Sequence, residues 1–224
     1  MLTVKILYMR MVSLSTLKDE EGGMNAKHKQ SYHHGNLREQ LMDVAVAHLR
    51  ELGTEKLSLR AIARELGVSQ TAPYRHFKDK DALLAALATD GFQLLTQEMN
   101  EALAATSDNA ISSLQASGAA YIKFARQNPE KYRLMFGRHN IDISSYPDLV
   151  SSEQASFKVL QDVIQRGIND GSFKDQSAPL VVNSAWAIVH GLATLILDRL
   201  EDKMPESAIE AQIQFSTRVL IEKI

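Results

Sequence analysis

Residues 58–77 have the sequence SLRAIARELGVSQTAPYRHF and predict two short helices joined by a tight turn. Ser58 is expected to cap the first helix, residues 59–66, because a serine hydroxyl can accept a hydrogen bond from a free N–H group of the first turn. Gly67 is expected to end that helix in a left-handed conformation, which glycine adopts without strain. Ser69 would cap the second helix. This spacing is typical of a helix-turn-helix unit, whose second helix enters the major groove of DNA.

The apolar residues around this stretch predict the core of the unit. A preceding helix, residues 36–52, has apolar residues close to a 3.6-residue period, so one of its faces can pack behind the two short helices. The side chains expected to pack in this core without contacting DNA are Leu41, Val44, Ile62, Leu66, Val68 and Phe77.

The same region resembles the TetR family of bacterial transcriptional regulators. Residues 68–88, VSQTAPYRHFKDKDALLAALA, are similar to that family's recognition helix and the helix after it, and residues 33–66 are similar to its first two helices. NPEKYRLMF at 128–136 and WAIVHG at 186–191 resemble a subgroup with a Trp-x-x-x-His-Gly signature in its ligand-binding domain. The resemblance implies an all-α fold, in which an N-terminal three-helix helix-turn-helix head is joined to a C-terminal helical ligand-binding and dimerisation bundle.

Helix-breaking Pro and Gly positions, together with the resemblance, divide the sequence into three segments. Residues 1–30 are predicted to be a disordered arm, residues 31–79 the helix-turn-helix DNA-binding domain, and residues 80–224 the helical ligand-binding and dimerisation domain. Lys and Arg against Asp and Glu give residues 25–81 a net charge of +3 and residues 82–224 one of −5, which fits a DNA reader with a separate regulatory half. Body helices are expected at residues 80–105, 110–127, 129–137, 148–170, 176–200 and 205–223.

The first 23 residues match no part of the family pattern. The apolar segment of residues 2–12 contains two basic residues and no small-residue cleavage site follows it, which argues against a secretory signal. Residues 20–23 can be encoded by a purine-rich run like a ribosome-binding site. Translation is therefore expected to begin at either Met1 or Met24.

Metal, cofactor and catalytic sites are not predicted. His28, His33 and His34 suit a flexible arm near DNA phosphate better than a metal site, because adjacent histidines do not converge on one ion. The sequence has no cysteine, no Gly-rich phosphate loop, no nucleophile elbow and no His/carboxylate cluster with catalytic spacing. No run reaches the roughly 20 uninterrupted apolar residues of a membrane helix. We therefore expect a cytoplasmic protein that is not an enzyme and needs no cofactor.

The predicted recognition helix supplies side chains that can read DNA. Gln70 can pair with an adenine edge, and Thr71 or Ala72 can touch a thymine methyl group. Pro73 would be the fourth helical residue, where a missing N–H group costs little. The tyrosine and the histidine that follow suit phosphate oxygens. The DNA-binding candidates are Ser58, Arg60, Ser69, Gln70, Thr71, Ala72, Tyr74, Arg75, His76 and Lys80.

Three of these candidates lie where helices begin. Helix N-termini attract phosphate through their free N–H groups. Ser58 and Arg60 at the start of one helix and Lys80 at the start of the next are therefore candidates for phosphate contacts. The resemblance implies a phosphate contact for Lys80, with Asp79 as the helix cap. A solvated surface charge is the alternative interpretation of Arg60 and Lys80.

The last two helices predict a homodimer. Residues 180–197 are apolar nearly all round, so this helix must be covered by its own body on one side and by a partner chain on the other. The family builds a four-helix interface from these two helices. The long fourth helix joins head and body, so a shift in the body can change the spacing of two recognition helices across a dimer. The matching apolar face of the final helix consists of Ile209, Ile213, Phe215, Val219 and Leu220.

A cavity for a small apolar ligand is implied by the resemblance. Aromatic and methionine side chains with a few polar tips suit such a ligand, although ordinary core packing explains each of them equally well. His190 is expected to be a hydrogen-bonded structural histidine, beside Gly191, whose missing side chain would permit close helix contact. The candidate lining residues are Tyr121, Phe124, Met135, Phe136, Phe157, Trp186 and His190.

Taken together, these patterns favour a homodimeric repressor that is released from a palindromic operator in double-stranded DNA by a small-molecule ligand. The alternative is a helix-turn-helix regulator that acts through a protein partner or as an activator, without a small-molecule effector. A fully packed body would indicate the alternative, and a cavity of roughly several hundred cubic ångströms would indicate the ligand sensor.

Overall fold

Helices make up the secondary structure of the described part of the chain. The computed structural model describes residues 37–106, 109–137, 142–173, 177–198 and 204–222, and these contain α-helices and short 3₁₀ helices but no strand. The predicted all-α fold class is confirmed. The predicted arm of residues 1–30 lies outside the described residues, as do His28, His33 and His34.

The chain divides into two compact units between Leu83 and Leu84, close to the predicted domain boundary at residues 79 and 80. The elements of the first unit are α1 (Leu37–Leu52), α2 (Leu59–Glu65), the 3₁₀ helix Pro73–Arg75 and the first residues of α3 (Lys80–Ala104). The second unit contains the rest of α3, followed by α4 (Ala110–Gln127), α5 (Pro129–Phe136), the 3₁₀ helix Ile143–Ser145, α6 (Pro147–Asn169), α7 (Ala178–Asp198) and α8 (Glu206–Glu222).

The core of the first unit differs in part from the prediction. Leu41, Ile62 and Phe77 are buried as expected, whereas the other three predicted core residues, including Leu66, are only half-buried. Leu66 is the C-cap residue of α2. The side chains that complete this core are Met42, Ala45, Leu57, Leu59, Ala63, Pro73 and Leu83.

Helix α4 is the centre of the second unit, where it packs against α5, α6, α7 and α8. Its N-terminus is capped by Asn109, whose Oδ1 accepts hydrogen bonds from the N–H groups of Ile111 at 2.9 Å and Ser112 at 3.2 Å. A Cβ atom at Gly118 would lie at ordinary contact distances, 3.8 Å from Ile213 of α8 and 3.9 Å from Val189 of α7. The glycine thus lies where three helices meet.

The end of α6 is closed by an aromatic ring packed on a glycine. Gly171 has a positive φ of 76° and turns the chain out of the helix. The N–H of Phe173 then donates to the carbonyl of Gly167 at 2.8 Å, and the buried Phe173 ring covers that glycine. A Cβ atom at Gly167 would lie 2.3 Å from the ring, so only glycine fits this position without a shift of the ring.

Candidate DNA-binding surface and ligand site

The turn between the two short helical elements is a Schellman motif. Gly67 has a φ of 67°, as expected of a left-handed residue that ends a helix. Its N–H donates to the Arg64 carbonyl at 3.1 Å, and the N–H of Val68 donates to the Ala63 carbonyl at 3.0 Å. The predicted helix end at Gly67 is therefore confirmed, and the direction of the next segment is set by two hydrogen bonds.

The predicted cap at Ser58 is only half present. Ser58 occupies the N-cap position with extended backbone angles, φ −142° and ψ 121°, and its carbonyl accepts from the N–H of Ile62 at 3.1 Å. Its hydroxyl makes no capping hydrogen bond, so the prediction for the side chain was wrong. The backbone position follows from the helix start, but the hydroxyl reaches an N–H group only in a suitable side-chain rotamer, which the sequence does not fix.

The second element of the helix-turn-helix is a 3₁₀ helix and not the predicted longer helix. Its N–H groups donate to carbonyls three residues back: Ala72 to Ser69 at 2.9 Å, Tyr74 to Thr71 at 3.2 Å and Arg75 to Ala72 at 3.2 Å. Pro73 explains the difference, because it has no N–H group to donate to Ser69. The Ser69 hydroxyl lies 3.2 Å from that of Thr71 and does not cap the segment.

Residues 69–76, which contain the 3₁₀ helix and are called here the 3₁₀ segment, present most of the predicted DNA-reading side chains to solvent. Tyr74 is 45% exposed although its side chain is large, and Pro73 beside it is fully buried. Ala72 is half-buried. The segment is thus anchored by proline and offers polar and aromatic tips outward. The exposed candidates are Ser69, Gln70, Thr71, Tyr74, Arg75 and His76.

The helix-start candidates differ in their contacts. Arg60 is exposed on α2. Asp79 caps α3 as predicted, because its Oδ1 accepts from the N–H of Ala82 at 2.8 Å. Lys80 donates from Nζ to the Glu55 carbonyl at 3.1 Å, so its ammonium group is held against the loop after α1. An ammonium group has three donors, and this bond uses one of them.

In the second unit, His190 lies inside a group of four aromatic side chains. The histidine and these four residues, Tyr121, Tyr132, Phe136 and Trp186, are together called here the His190 cluster. The Trp186 ring stacks on the imidazole with centroids 4.8 Å apart at 17°, and the Phe136 ring meets it edge-on at 4.8 Å. The hydroxyls of Tyr121 and Tyr132 lie 2.9 and 2.8 Å from Nδ1 of His190. The prediction of a hydrogen-bonded histidine is confirmed.

Burial sets the charge of the cluster. It lowers the pKa of the His190 imidazole. It raises the pKa of the Tyr121 phenol well above its ordinary value, and repulsion from Tyr132 adds to that effect. Burial also raises the pKa of Tyr132. At neutral pH all three groups are therefore uncharged, and the cluster combines apolar rings with neutral hydrogen-bonding groups.

The structure brings four of the seven predicted ligand-site residues into this cluster and separates the others. Met135 packs on Gly91 of α3, Phe124 is fully buried in α4, and Phe157 is half-buried on α6. Tyr132 is a cluster member that the prediction missed, although its spacing of four residues from Phe136 puts both rings on one face of α5.

Helix α5 also contacts α3 beside the cluster. The Lys131 ammonium lies 2.7 Å from a carboxylate oxygen of Asp90, and the Phe136 ring meets that of Phe92 edge-on at 5.5 Å. One short helix thus carries side chains of the His190 cluster and side chains that hold α3.

An open surface groove of about 400 Å³ lies at the C-terminal part of α6. Its lining is polar and charged, so it does not match the apolar cavity that the sequence predicts. The lining residues are Asp162, Gln165, Arg166, Asn169 and Asp170.

Helices α7 and α8 carry large apolar side chains on the surface of the second unit. Among the described residues, α7 is long and apolar enough to cross a membrane by length and composition alone, with a mean hydropathy of 1.8 and 28% of that stretch buried. A Cβ atom placed on Gly191 of α7 would meet no atom of another described helix within 4 Å, so the described part of the chain makes no close helix contact there. The exposed large apolar residues described on the two helices are Leu180, Ile188, Leu195, Phe215 and Val219.

The residues of the predicted apolar face of α8 do not all have the same burial. Ile209, Ile213 and Leu220 are buried against the body of the same chain, whereas Phe215 and Val219 are 61% and 39% exposed. The apolar residues are spread around more than one face of the helix, and only two of the five remain for a partner.

These features define a helix-turn-helix protein with a helical body, and comparison with known sequences identifies the family. The model of the bacterial regulatory proteins of the tetR family matches residues 41–87, and that of the tetracyclin repressor-like C-terminal domain matches residues 114–217. Together they span well over half of the chain. The protein therefore belongs to the TetR family of DNA-binding transcriptional regulators, which are not enzymes.

Solved structures show the same fold. A protein of unknown function from Rhodococcus sp. RHA1 is 31% identical, with a TM-score of 0.75, and the match covers 88% of this chain and 99% of that one. The regulator FadR from Bacillus subtilis, solved in complex with stearoyl-CoA, is 17% identical over 83% of this chain and 98% of that one, with a TM-score of 0.69. The ketosteroid regulator KstR2 of Mycobacterium tuberculosis is 20% identical over 84% and 95%, with a TM-score of 0.59.

Proposed function

We propose that this TetR-family regulator is a homodimeric, cytoplasmic repressor that binds a palindromic operator and is released from it by a small apolar ligand. The observation that carries the DNA-binding part is the exposed, proline-anchored 3₁₀ segment, which offers side chains of the types that read base edges and phosphates. Gln70 and Thr71 are the proposed base-reading residues. Tyr74 and His76 are proposed to contact phosphate oxygens.

Lys80 is proposed to add a phosphate contact at the start of α3. Its bond to the Glu55 carbonyl holds the side chain in place, and its two remaining donors can serve a phosphate oxygen. Ser58, Arg60, Ser69, Ala72 and Arg75 complete the proposed DNA-binding set. A single phosphate contact changes affinity without changing sequence preference.

A second copy of the chain is the proposed partner of the exposed apolar face on α7 and α8. Leu180 and Leu195 are 63% and 55% exposed, and Phe215 is 61% exposed. Apolar patches of this kind on a soluble protein mark interaction sites. The other sides of α7 pack on α4, α6 and α8 of its own body, so a partner chain need cover only the remaining face.

The His190 cluster is the proposed ligand site. It provides aromatic surface with a neutral hydrogen-bonding tip, the composition typical of sites for small apolar molecules. The complex of Bacillus subtilis FadR with stearoyl-CoA supports a small-molecule ligand for a body of this fold. Of the predicted lining residues, Phe124, Met135 and Phe157 remain proposed as outer parts of the site.

Helix α5 is the proposed connection from this site to DNA binding. A ligand that displaces Phe136 or Tyr132 would move α5, and α5 holds α3 through the Lys131–Asp90 pair and the packing of Met135 on Gly91. Because α3 is continuous from Ala104 back to Lys80, its displacement would move the proposed phosphate contact.

Fluorescence-anisotropy titration with DNA flanking the protein's own gene tests the proposal. We expect specific binding that weakens as salt rises, since phosphate contacts release counterions. The double variant Gln70→Ala/Tyr74→Ala should lose specific binding, whereas Leu52→Ala, at an exposed apolar residue of α1 outside the segment, should keep it. Equal binding of the double variant and the wild type would overturn the assignment of the 3₁₀ segment as the DNA reader.

A further inference from the structure

The imidazole of His190 is held in the way that a protein holds a small aromatic ligand. Trp186 stacks on its face at 4.8 Å, Phe136 meets it edge-on at 4.8 Å, and Tyr132 lies at 5.6 Å with an angle of 29°. Tyr121 closes the group at 6.5 Å. These separations are those of favourable aromatic pairs. The four rings, called here the aromatic cage, are therefore complementary to a flat five-membered ring.

The tyrosines of the cage also place hydroxyl groups beside polar atoms of His190. Two phenol hydroxyls lie within 2.9 Å of one ring nitrogen, Nδ1 of His190, and a single nitrogen can accept only one of them. The Tyr132 hydroxyl also lies 3.3 Å from the His190 carbonyl, to which it can donate. One phenol can thus donate to the ring nitrogen while the other donates to the His190 carbonyl.

We infer that the aromatic cage is a binding site for a planar, uncharged nitrogen heteroaromatic ring, and that the His190 side chain is an internal competitor for that site. The inference rests on the proposed ligand response and names the chemical class of the ligand. A ring of this class would take over the stacking on Trp186 and the hydrogen bonds of Tyr121 and Tyr132. The burial that lowers the pKa of His190 favours an uncharged ring in the same place.

Removal of the competitor gives the first test. His190→Ala should leave a space of the shape of an imidazole ring, and Trp186, the single tryptophan of the chain, reports its occupation by fluorescence. At about pH 8, where free imidazole is mostly neutral, imidazole should bind this variant at least about tenfold more tightly than pyrrole, which has the same shape but no acceptor nitrogen for the phenols. Equal binding of the two, or no saturable change with imidazole, overturns the inference.

Binding to the wild-type protein gives the second test. Benzimidazole should change Trp186 fluorescence saturably and bind about tenfold more weakly to the wild type than to His190→Ala, because His190 must leave the cage first. Equal affinities would overturn the role of His190 as competitor, and indene should bind more weakly than benzimidazole to both proteins. These titrations contain no DNA, so their failure is distinct from a failure of operator binding.

Discussion

His190 shows how neighbours far away in the sequence determine the chemistry of one residue. Its hydrogen-bond partners Tyr121 and Tyr132 are 69 and 58 residues away, on α4 and α5. The sequence predicts a hydrogen-bonded histidine from its position in an apolar helix. The identity of the partners depends on the packing of three helices and could not be predicted from the sequence, although the Tyr132–Phe136 spacing gave a local indication.

The lowered pKa of His190 predicts a loss of stability in mild acid. Because burial places the folded-state pKa below the unfolded value of about 6.5, the unfolded chain binds a proton first as the pH falls. The contribution of His190 is therefore complete above about pH 6.5 and decreases towards the folded-state pKa. Chemical unfolding at about pH 7.5 and 5.5 should show a larger decrease for the wild type than for His190→Gln, which cannot titrate. An equal decrease in both proteins would show that His190 does not titrate in this way.

The helix ends show which capping hydrogen bonds can be predicted from the local sequence and which cannot. Asn109 and Asp79 accept hydrogen bonds from first-turn N–H groups, and Gly67 ends α2 with the expected Schellman bonds. Ser58 occupies an equivalent cap position without making the side-chain bond. Helix bounds in the body follow closely from Pro and Gly breaks. The recognition element differs because Pro73 removes one N–H group and favours the tighter turn.

Alanine substitutions at the caps Asn109 and Ser58 should therefore differ in their effect on the free energy of unfolding. Asn109→Ala removes an acceptor from two N–H groups and should lower the free energy of unfolding by about 1 kcal/mol. Ser58→Ala removes no such bond and should have a much smaller effect. Urea unfolding of both variants measures the difference. A cost for Ser58→Ala as large as that for Asn109→Ala would mean that the serine hydroxyl caps α2 after all.

Two glycines on helices should respond in opposite ways to an added methyl group. Gly118→Ala meets only ordinary contacts at 3.8 and 3.9 Å and should stabilise the protein by about 0.5–1 kcal/mol through helix propensity. Gly167→Ala would press against the buried Phe173 ring and should destabilise by about 1–3 kcal/mol. Thermal unfolding compares the two variants. Stabilisation by Gly167→Ala would show that the ring can move aside at little cost.

At the scale of the whole molecule, the exposed apolar side chains of α7 and α8 form the face that is proposed to bind a second copy of the chain. The sequence indicates that α7 must be covered on two sides, and the structure identifies which residues remain uncovered. It also assigns three of the five predicted residues of α8 to the chain's own core. Periodicity alone could not separate the two roles, because both faces of α8 are apolar.

Charge introduced into this face should prevent dimerisation. Leu195→Glu/Phe215→Glu would bury two carboxylates in an apolar interface, so we expect a monomer at concentrations at which the wild type is a dimer. Light scattering after size-exclusion chromatography measures the molar mass. Leu52→Glu, at an exposed apolar residue of α1 in the first unit, is the control and should remain dimeric. A dimer in the double variant would place the interface elsewhere.

The spacing of operator half-sites tests the central claim, a dimer that reads two sites at once. Once a bound sequence has been found, about five base pairs, half a helical turn, are inserted between its half-sites, which turns one of them to the opposite side of the DNA. For such a dimer, specific binding, measured by fluorescence anisotropy, should fall to the level of unrelated DNA. Unchanged affinity for the DNA with the insertion would contradict it, because it would mean that each half-site is bound independently.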